Sequence, residues 1–252
     1  MNQLIREKRK VAFNFKRITS TTITALSEVI DMEVHALTAS GTPYYLMYSV
    51  DANGDTSFES ASSVIFKDTE VVGNHIINKV AMRFYTLDNS KSIEIQIVHS
   101  VKNENAENFI MVSGEDSTWV NGILNRLTAL VKGAEGQLKV NTFYKGLFIL
   151  SLMLAFNIEF FRLGSKTFFR VGNETIAALL IFVGPAISFI LAFKLGNYID
   201  SLWPAIELQT GPQHFSSTIK KRNTMKWVMA SIIVPIVLSV LYDVFKNLQL
   251  FL

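Results

Sequence analysis

The feature that most constrains this chain is an uncharged run of nineteen residues, from Thr175 to Phe193, bounded by Glu174 and Lys194. A helix needs about 20 predominantly apolar residues to cross the hydrocarbon core of a bilayer. The composition agrees, because 49% of the 252 residues are hydrophobic and only 18% are charged, against about 25% charged residues in ordinary soluble domains. The run predicts a transmembrane helix near residues 175–195, which makes the lipid bilayer the first partner.

Two further apolar runs flank this one. Gly146–Ile158 has thirteen uncharged residues, and Trp227–Tyr242 has sixteen. They predict spans near residues 144–163 and 226–245. The earlier run is borderline, since runs of about 10–14 residues also form re-entrant or buried helices. The sequence therefore predicts two to three transmembrane helices.

The distribution of basic residues sets the predicted orientation. With three spans and the N-terminus inside, the cytoplasmic flanks carry nine Lys and Arg residues and the outer flanks carry four. Cytoplasmic loops of membrane proteins carry such an excess of basic residues. We expect a multi-pass protein of a bacterial inner membrane, with its N-terminal part in the cytoplasm.

The first 140 residues predict one α+β domain. Alternating apolar residues such as Ile93, Ile95 and Ile97 indicate strands with one buried face. Asn53-Gly54 is a strong signal for a hairpin turn. The predicted strands are Val11–Phe15, Glu33–Thr38, Tyr44–Val50, Thr56–Ser60, Val80–Leu87, Ser92–Val98 and Phe109–Ser113.

Helices complete this domain. One is predicted over Thr21–Ile30, and another begins at Asp116 or Ser117 and ends at Gly133. The fold class is therefore an α+β cytosolic domain, an antiparallel sheet with flanking helices over residues 1–140, followed by an all-α transmembrane module over residues 141–252.

Several chemistries are disfavoured by the sequence. There is no cysteine, which excludes disulfides, thiol nucleophiles and cysteine metal sites. The four histidines show no metal-ligand spacing, and no phosphate-loop, dinucleotide or nucleophile-elbow motif occurs. We expect no metal, no cofactor, no catalytic residue and hence no enzyme. Basic residues that flank apolar runs also argue against specific nucleic-acid binding.

Small residues recur every four positions along the central predicted span, at Gly184, Ser188, Ala192 and Gly196. Such a stripe opens a groove in which another helix backbone can approach closely. The neighbour is either a helix of the same chain or one from a second copy. The stripe predicts helix packing in both cases and a homo-oligomer in the second.

Polar residues end the first run, at Asn157, Glu159 and Arg162. An ionisable residue inside a membrane is a functional candidate. At the interface, Glu159 would instead pair with Arg162 three residues later on the same helix. The second interpretation is favoured.

The segment between the second and third runs is punctuated by Trp203-Pro204 and Gly211-Pro212, with Glu207 between them. Pro and Gly at both ends of a short apolar stretch indicate an ordered loop. We expect this loop to touch the cytosolic domain and to link it mechanically to the membrane helices.

These features predict a membrane sensor–effector whose cytosolic domain binds a small-molecule ligand or protein partner and controls the association of transmembrane helices, altering permeability. The alternative is a membrane-anchored scaffold or accessory subunit that docks a cytosolic protein. The arrangement resembles that of bacterial toxin-like or phage-defence membrane effectors. This resemblance is one of architecture and brings no motif, so no ligand and no residue role follow from it.

Overall fold

The computed structural model describes residues 5–99, 108–136, 142–171 and 174–235, together with 238, 239, 242 and 246. Within these residues the chain forms eight strands and five α-helices. The strands are β1 Glu7–Ala12, β2 Lys16–Thr19, β3 Tyr44–Ala52, β4 Thr56–Ser60, β5 Ile77–Thr86, β6 Lys91–Val98, β7 Phe109–Gly114 and β8 Ile206–Gln209. The helices are α1 Ser20–Ser40, α2 Ser117–Gly133, α3 Thr142–Val171, α4 Glu174–Leu202 and α5 Pro212–Val228.

Six strands form one antiparallel sheet in the order β1-β7-β6-β5-β3-β4. Ile93, Ile95 and Ile97 are buried on one face, as their alternation predicts, and they pack with the apolar residues of α1 and α2. β3 and β4 form an antiparallel hairpin across the predicted Asn53-Gly54 turn, and β5 and β6 form a second one. The N-terminal part is therefore the α+β domain with an antiparallel sheet that the sequence predicts.

The expected strand Glu33–Thr38 is wrong, because these residues continue α1 to Ser40. Ile30 and Leu37 are buried seven residues apart on one helical face. Gly41 then ends the helix in the left-handed conformation, with φ at 72°. A glycine adopts this conformation readily, so Gly41 is a helix cap and not part of a hairpin turn.

The expected strand Val11–Phe15 is also wrong in its bounds. β1 ends at Ala12, and β2 begins at Lys16 after Phe15, whose φ is 58°. A non-glycine residue in the left-handed region cannot continue an extended strand. The chain therefore leaves the large sheet before β2.

α2 begins and ends where the sequence predicts. The Asp116 carboxylate accepts a hydrogen bond from the Thr118 N–H and caps the helix. The buried stripe contains Val120, Ile123, Leu124, Leu127 and Val131.

β2 belongs to a second, two-stranded sheet, in which it pairs in parallel with β8. The chain divides into two compact units, each made of two separate stretches of sequence. The first is Met1–Lys139 with Trp203–Thr218, and the second is Val140–Leu202 with Ile219–Leu252. The segment that joins α4 to α5 thus contributes a strand to the first unit.

In the second unit, α3 and α4 pack against each other as an antiparallel helical hairpin. By length and composition, two helical segments could each cross a membrane, Phe143–Lys166 and Phe182–Leu202. Only 6% and 22% of their apolar windows are buried in the chain, whereas the core helix of a soluble domain is mostly buried. The predicted third span at 226–245 lies partly outside the described residues, and α5 is followed there by a π-helical segment, Met229–Ile233.

Candidate functional site

The proposed coupling segment is built into the core of the first unit. Ile206 and Leu208 are fully buried, and the ladder places Ile18 of β2 opposite Leu208. Pro204 is buried and Trp203 is half-buried just before the strand. The segment is therefore a core strand and not a surface loop.

Glu207 is the charged residue at the centre of this strand, and it is 1% exposed. Its Oε2 lies 3.4 Å from Nε of Arg17 on β2, and its Oε1 accepts a hydrogen bond from Nε2 of Gln209 at 3.0 Å. Arg17 also contacts Oε1 of Glu135 at 2.7 Å, just beyond the end of α2. A buried carboxylate is tolerated only when it is paired and hydrogen-bonded in this way. The ion pair therefore ties β8 to β2 and to the end of α2.

His99 holds β8 from its other side. The backbone N–H of Leu208 donates to Nδ1 of His99 at 3.4 Å, and the N–H of His99 donates to the carbonyl of Asn78 at 2.7 Å. Nδ1 must be unprotonated to accept this bond. This histidine links β8 to the end of the large sheet.

Gly211 follows the strand at a point of close approach. A Cβ atom at this position would lie 2.7 Å from the carbonyl oxygen of Val72 and 3.5 Å from that of Gly73. These two residues end a π-helical turn, Thr69–Gly73. Only glycine fits here without displacement of the backbone, so the chain between β8 and α5 is closely packed against that turn. Pro212 is the first residue of α5.

A cavity of about 530 Å³ lies beside this contact, at the N-terminal end of α1. Ligand pockets in proteins typically have volumes of about 300–1,000 Å³. All its lining residues belong to the first unit, and they include one residue of the inserted segment, Thr210. The lining consists of Ser20, Thr21, Thr24, Ala25, Glu28, Phe66, Lys67, Asp68, Val72, Gly73 and Thr210.

Hydroxyl groups dominate the polar part of this lining. Ser20, Thr21 and Thr24 come from the first turns of α1, and Thr210 directly follows β8. Thr210 is 8% exposed, and its Oγ1 has no hydrogen-bond partner among the described residues. Since buried polar atoms are nearly always hydrogen-bonded, this hydroxyl is an exception that needs an explanation.

Three charged residues stand at the rim. Lys67 and Asp68 follow a short 3-10 helix, Ser63–Phe66, and Glu28 lies two turns into α1. The Asp68 carboxylate already accepts the N–H groups of Glu70 and Val71.

The predicted packing stripe lies along the contact of α3 with α4. A Cβ at Gly184 would lie 2.6 Å from Cγ of Phe160, and one at Gly196 would lie 3.3 Å from Cδ1 of Ile149. Ser188 and Ala192 are buried between them. The stripe is therefore occupied by a helix of the same chain.

The predicted polar residues of the first run also make contacts within the α3–α4 hairpin. The Ser188 hydroxyl donates to Oδ1 of Asn157 at 3.2 Å across the two helices. Glu159 and Arg162 form an ion pair at 3.5 Å along α3.

Two contacts at the ends of the helices of the second unit are not predicted by the sequence. Nζ of Lys145 lies 2.7 Å from Oδ1 of Asp200, at the end of the hairpin where α3 begins and α4 ends. Nε of Arg222 on α5 donates to the carbonyl of Leu202 at 2.7 Å, which closes the base of the inserted segment. A cation at a helix C-terminus is favoured by the helix dipole. The sequence does show a basic residue near each of these helix ends, but it does not indicate which group that residue contacts.

The cavity was also missed. Its sequence signal was a first helical turn composed of Ser20, Thr21 and Thr22 with no acidic residue, although helix N-termini usually attract acidic residues. Comparisons with protein-family models, with curated proteins and with solved structures each found no match to this chain. The functional interpretation therefore rests on the geometry of the site.

Proposed function

We propose that the protein is a membrane sensor–effector in which a ligand bound by the first unit changes the arrangement of the membrane helices. The unit would lie in the cytoplasm and the helices in the inner membrane of a bacterial cell. The excess of basic residues on the predicted cytoplasmic flanks supports this orientation. The role is one of binding and conformational change, without catalysis.

One observation carries the proposal: β8, a core strand of the first unit, is joined directly to α4 at one end and to α5 at the other. Thr210 and Gly211 follow the strand and lie at the cavity and at the Val72 carbonyl. A ligand that fills the cavity acts on these residues. A displacement there is passed to both helices through covalent bonds, which needs no further contact.

The energetic requirement is modest. A ligand shifts a conformational equilibrium only by its difference in affinity for the two states. About 5.5 kcal/mol of difference moves a population from about 1:99 to 99:1. A few hydrogen bonds made in only one arrangement supply a free energy of this order.

The absence of cysteine from the chain makes a direct test simple, since introduced cysteines are the only thiols. Lys194 on α4 and Lys221 on α5 are exposed and stand on either side of the inserted segment. Spin labels at Lys194→Cys and Lys221→Cys report their distance distribution in the full chain, reconstituted in liposomes. Leakage of a trapped dye from the same liposomes reports permeability.

The variant Glu207→Gln removes the charge of the buried pair with Arg17 and keeps the shape of the side chain. We expect it to shift or broaden the distance distribution and to change dye leakage. The matched control is Glu59→Gln, the same chemical change at an exposed position of β4. Identical distributions and identical leakage in wild type and Glu207→Gln would refute the coupling.

A scaffold that docks a cytosolic protein is the second candidate function. Tyr45 and Tyr85 stack at 4.8 Å on the sheet face opposite α1 and α2, and each keeps more than a third of its surface exposed. Tyrosine is enriched in protein interfaces. A scaffold predicts a stoichiometric complex that Tyr45→Ser and Tyr85→Ser abolish, whereas the sensor–effector keeps its helix response in both variants.

Oligomer formation remains part of the proposal. Because the small-residue stripe is occupied by α3, a second copy would have to use the exposed apolar faces, which include Phe189 and Phe193 on α4. Native mass spectrometry of the detergent-released protein separates a closed oligomer from a monomer.

A further inference from the structure

The geometry points to a second binding site, for single-stranded nucleic acid, on the sheet face opposite α1 and α2. A base would stack on Tyr85, and phosphates would contact the basic side chains beside it. This inference goes beyond the proposed function, because the site needs no movement of the membrane helices. It concerns binding without sequence preference, whereas the sequence argues only against specific recognition.

Five residues from five neighbouring strands form one row across this face. From β1 to β3 the row consists of Lys8, Ser113, Ser92, Tyr85 and Tyr45. Each residue lies directly opposite the next one, and residues opposite each other in antiparallel strands share a face. Neighbouring strands are about 4.8 Å apart, so the row is about 19 Å long. It has a cation at one end, two hydroxyls in the middle and two aromatic rings at the other end.

The aromatic end of the row offers a surface for stacking. The rings of Tyr45 and Tyr85 stack at 4.8 Å with an angle of 22° between their planes, and both are more than a third exposed. Tyr45 lies on the β3 side of Tyr85. On its β6 side, Tyr85 lines a second cavity, of about 360 Å³, together with Ser92 and Glu94. A flat ring that enters this cavity therefore contacts Tyr85 and extends the aromatic stack.

The polar part of the second cavity suits a phosphate. Two guanidinium groups line it, those of Arg6 and Arg83. Nη2 of Arg6 donates to Oγ of Ser92 at 3.1 Å, which holds the Arg6 side chain across the face. Nε of Arg83 lies 3.6 Å from Oε1 of Glu94, in a pair whose two side chains are 46% and 30% exposed. An exposed pair of this kind contributes little free energy, so the guanidinium can turn to a phosphate, which it binds through two parallel hydrogen bonds.

The charge of the surrounding face favours a polyanion. The next row across the same strands consists of Lys10, Met111, Glu94, Arg83 and Met47. The two rows together contain three cations and one carboxylate, and Arg6 adds a fourth cation. Further acidic residues of this face, Asp51 and Glu59, lie on β3 and β4, and Asp51 contacts Lys79 at 3.6 Å. The excess of positive charge therefore lies beside the second cavity.

Exposed aromatic rings beside a basic surface are the combination by which proteins bind single strands without sequence preference. The bases of a duplex are stacked on one another and cannot stack on Tyr85. An acidic peptide would meet the same cations but has no flat ring at each repeat. The aromatic stack and the charge together thus favour a single strand over both.

The experiment uses the full chain in detergent and fluorescence anisotropy of a labelled thymidine strand of about 12 nucleotides, within the usual site size. An abasic strand and a duplex of the same length are the comparisons. The thymidine strand should bind at least about tenfold more tightly than either, because only its bases can stack. With about three phosphate contacts, the logarithm of its binding constant should fall with the logarithm of salt concentration with a slope of about −2.

Two variants and a control define the site, and each must keep the circular dichroism spectrum of the wild type. Tyr85→Leu should bring the affinities for the thymidine and abasic strands to within about threefold of each other, since it removes the stacking surface. Arg83→Gln should weaken both strands alike and reduce the salt slope by about 0.7. Lys132→Gln, at an exposed lysine near the end of α2, should change neither the ratio nor the slope.

Equal affinity for the thymidine and abasic strands overturns the inference, and so does an unchanged ratio in Tyr85→Leu. Polyglutamate that binds as tightly as the thymidine strand would also overturn it and would indicate a face for acidic proteins, as the scaffold requires. A uridine strand of the same length shows whether RNA or DNA is preferred. The Lys194–Lys221 distances enter none of these measurements, so the site and the coupling are tested separately.

Discussion

Replacement of Gly211 by alanine tests whether the inserted segment is held against the first unit as closely as the structure shows. The added Cβ would lie 2.7 Å from the Val72 carbonyl oxygen, a backbone atom that cannot rotate away. Either the turn that ends at Gly73 or the chain between β8 and α5 must move. Gly122→Ala is the matched control, because Gly122 lies within α2 and has no atom within 4 Å of the Cβ position.

The two substitutions make the same chemical change but should shift the melting temperature in opposite directions. Overpacking of a closely packed site costs about 1–3 kcal/mol. Alanine in place of glycine inside a helix stabilises by about 0.5–1 kcal/mol. At about 3 °C per kcal/mol for a unit of this size, Gly211→Ala should lower the melting temperature by about 3–9 °C and Gly122→Ala should raise it by about 2–3 °C.

Thermal unfolding of the full chain in detergent, followed by circular dichroism, measures both shifts. Hydrogen exchange then locates the change: Gly211→Ala should increase exchange in β8 and in the turn that ends at Gly73, and Gly122→Ala should not. A melting temperature for Gly211→Ala at or above that of the wild type would refute the close packing, and with it the cavity wall that depends on this contact.

Three further predictions concern the core and the hairpin. Burial, followed by the hydrogen bond to a carboxylate, raises the pKa of Tyr48 far above its ordinary value of 10.0. The stability that the neutral phenol contributes is complete below pH 10 and is lost as the pH rises above it. The difference in unfolding free energy between wild type and Tyr48→Phe, measured by chemical denaturation, should therefore shrink by about 1.4 kcal/mol per pH unit above pH 10. A difference that stays constant with pH would contradict this. Arg17→Ala removes the cation beside the buried Glu207 and should destabilise the first unit by about 3 kcal/mol in the same assay, and an effect under about 0.5 kcal/mol, as at exposed sites, would contradict the buried pair. Gly184→Leu cannot be accommodated against Phe160 and should separate α3 from α4, seen as a longer spin-label distance between them; an unchanged distance would contradict that packing.

The parts of the fold that the sequence predicted are those that local patterns determine. The alternation of Ile93, Ile95 and Ile97 requires one buried strand face, and Asn53-Gly54 allows a tight turn, with Gly54 at φ 83°. Asp116 and the apolar stripe after it define α2 without reference to any other element. These patterns act over fewer than about 20 residues, so one sequence is enough to detect them.

The prediction for the second half of α1 is wrong because two periodicities compete there. Val34 and Leu37 continue the helical face of Ile30, but Glu33–Ala36 also alternates between polar and apolar residues. Gly41 also suits a turn between two strands, whereas its left-handed conformation here caps the helix. The decision is made by packing against the rest of the core, which the local sequence does not contain.

Neither β8 nor the cavity was visible in the sequence, because both depend on contacts between distant residues. Glu207 and Arg17 are 190 residues apart, and a four-residue strand has no periodicity of its own. The Trp203-Pro204 and Gly211-Pro212 pairs predicted an ordered segment and named its ends. They did not indicate a strand, and they did not identify Thr210 as a residue of the cavity.

The same separation in sequence bears on how firmly β8 is held. Closing a loop of about 190 residues costs roughly 4–5 kcal/mol in chain entropy, and the α3–α4 hairpin reduces that cost by ordering part of the loop. Burial of Ile206 and Leu208 stabilises the docked strand by about 1.5–3 kcal/mol for each side chain, and the Arg17–Glu207 pair adds little net free energy, since its desolvation offsets its attraction. The opposing contributions differ by only a few kcal/mol. A ligand that makes two or three hydrogen bonds to the first unit in one arrangement only contributes a free energy of about that same size, which is why β8 is the element whose docking such a ligand would shift.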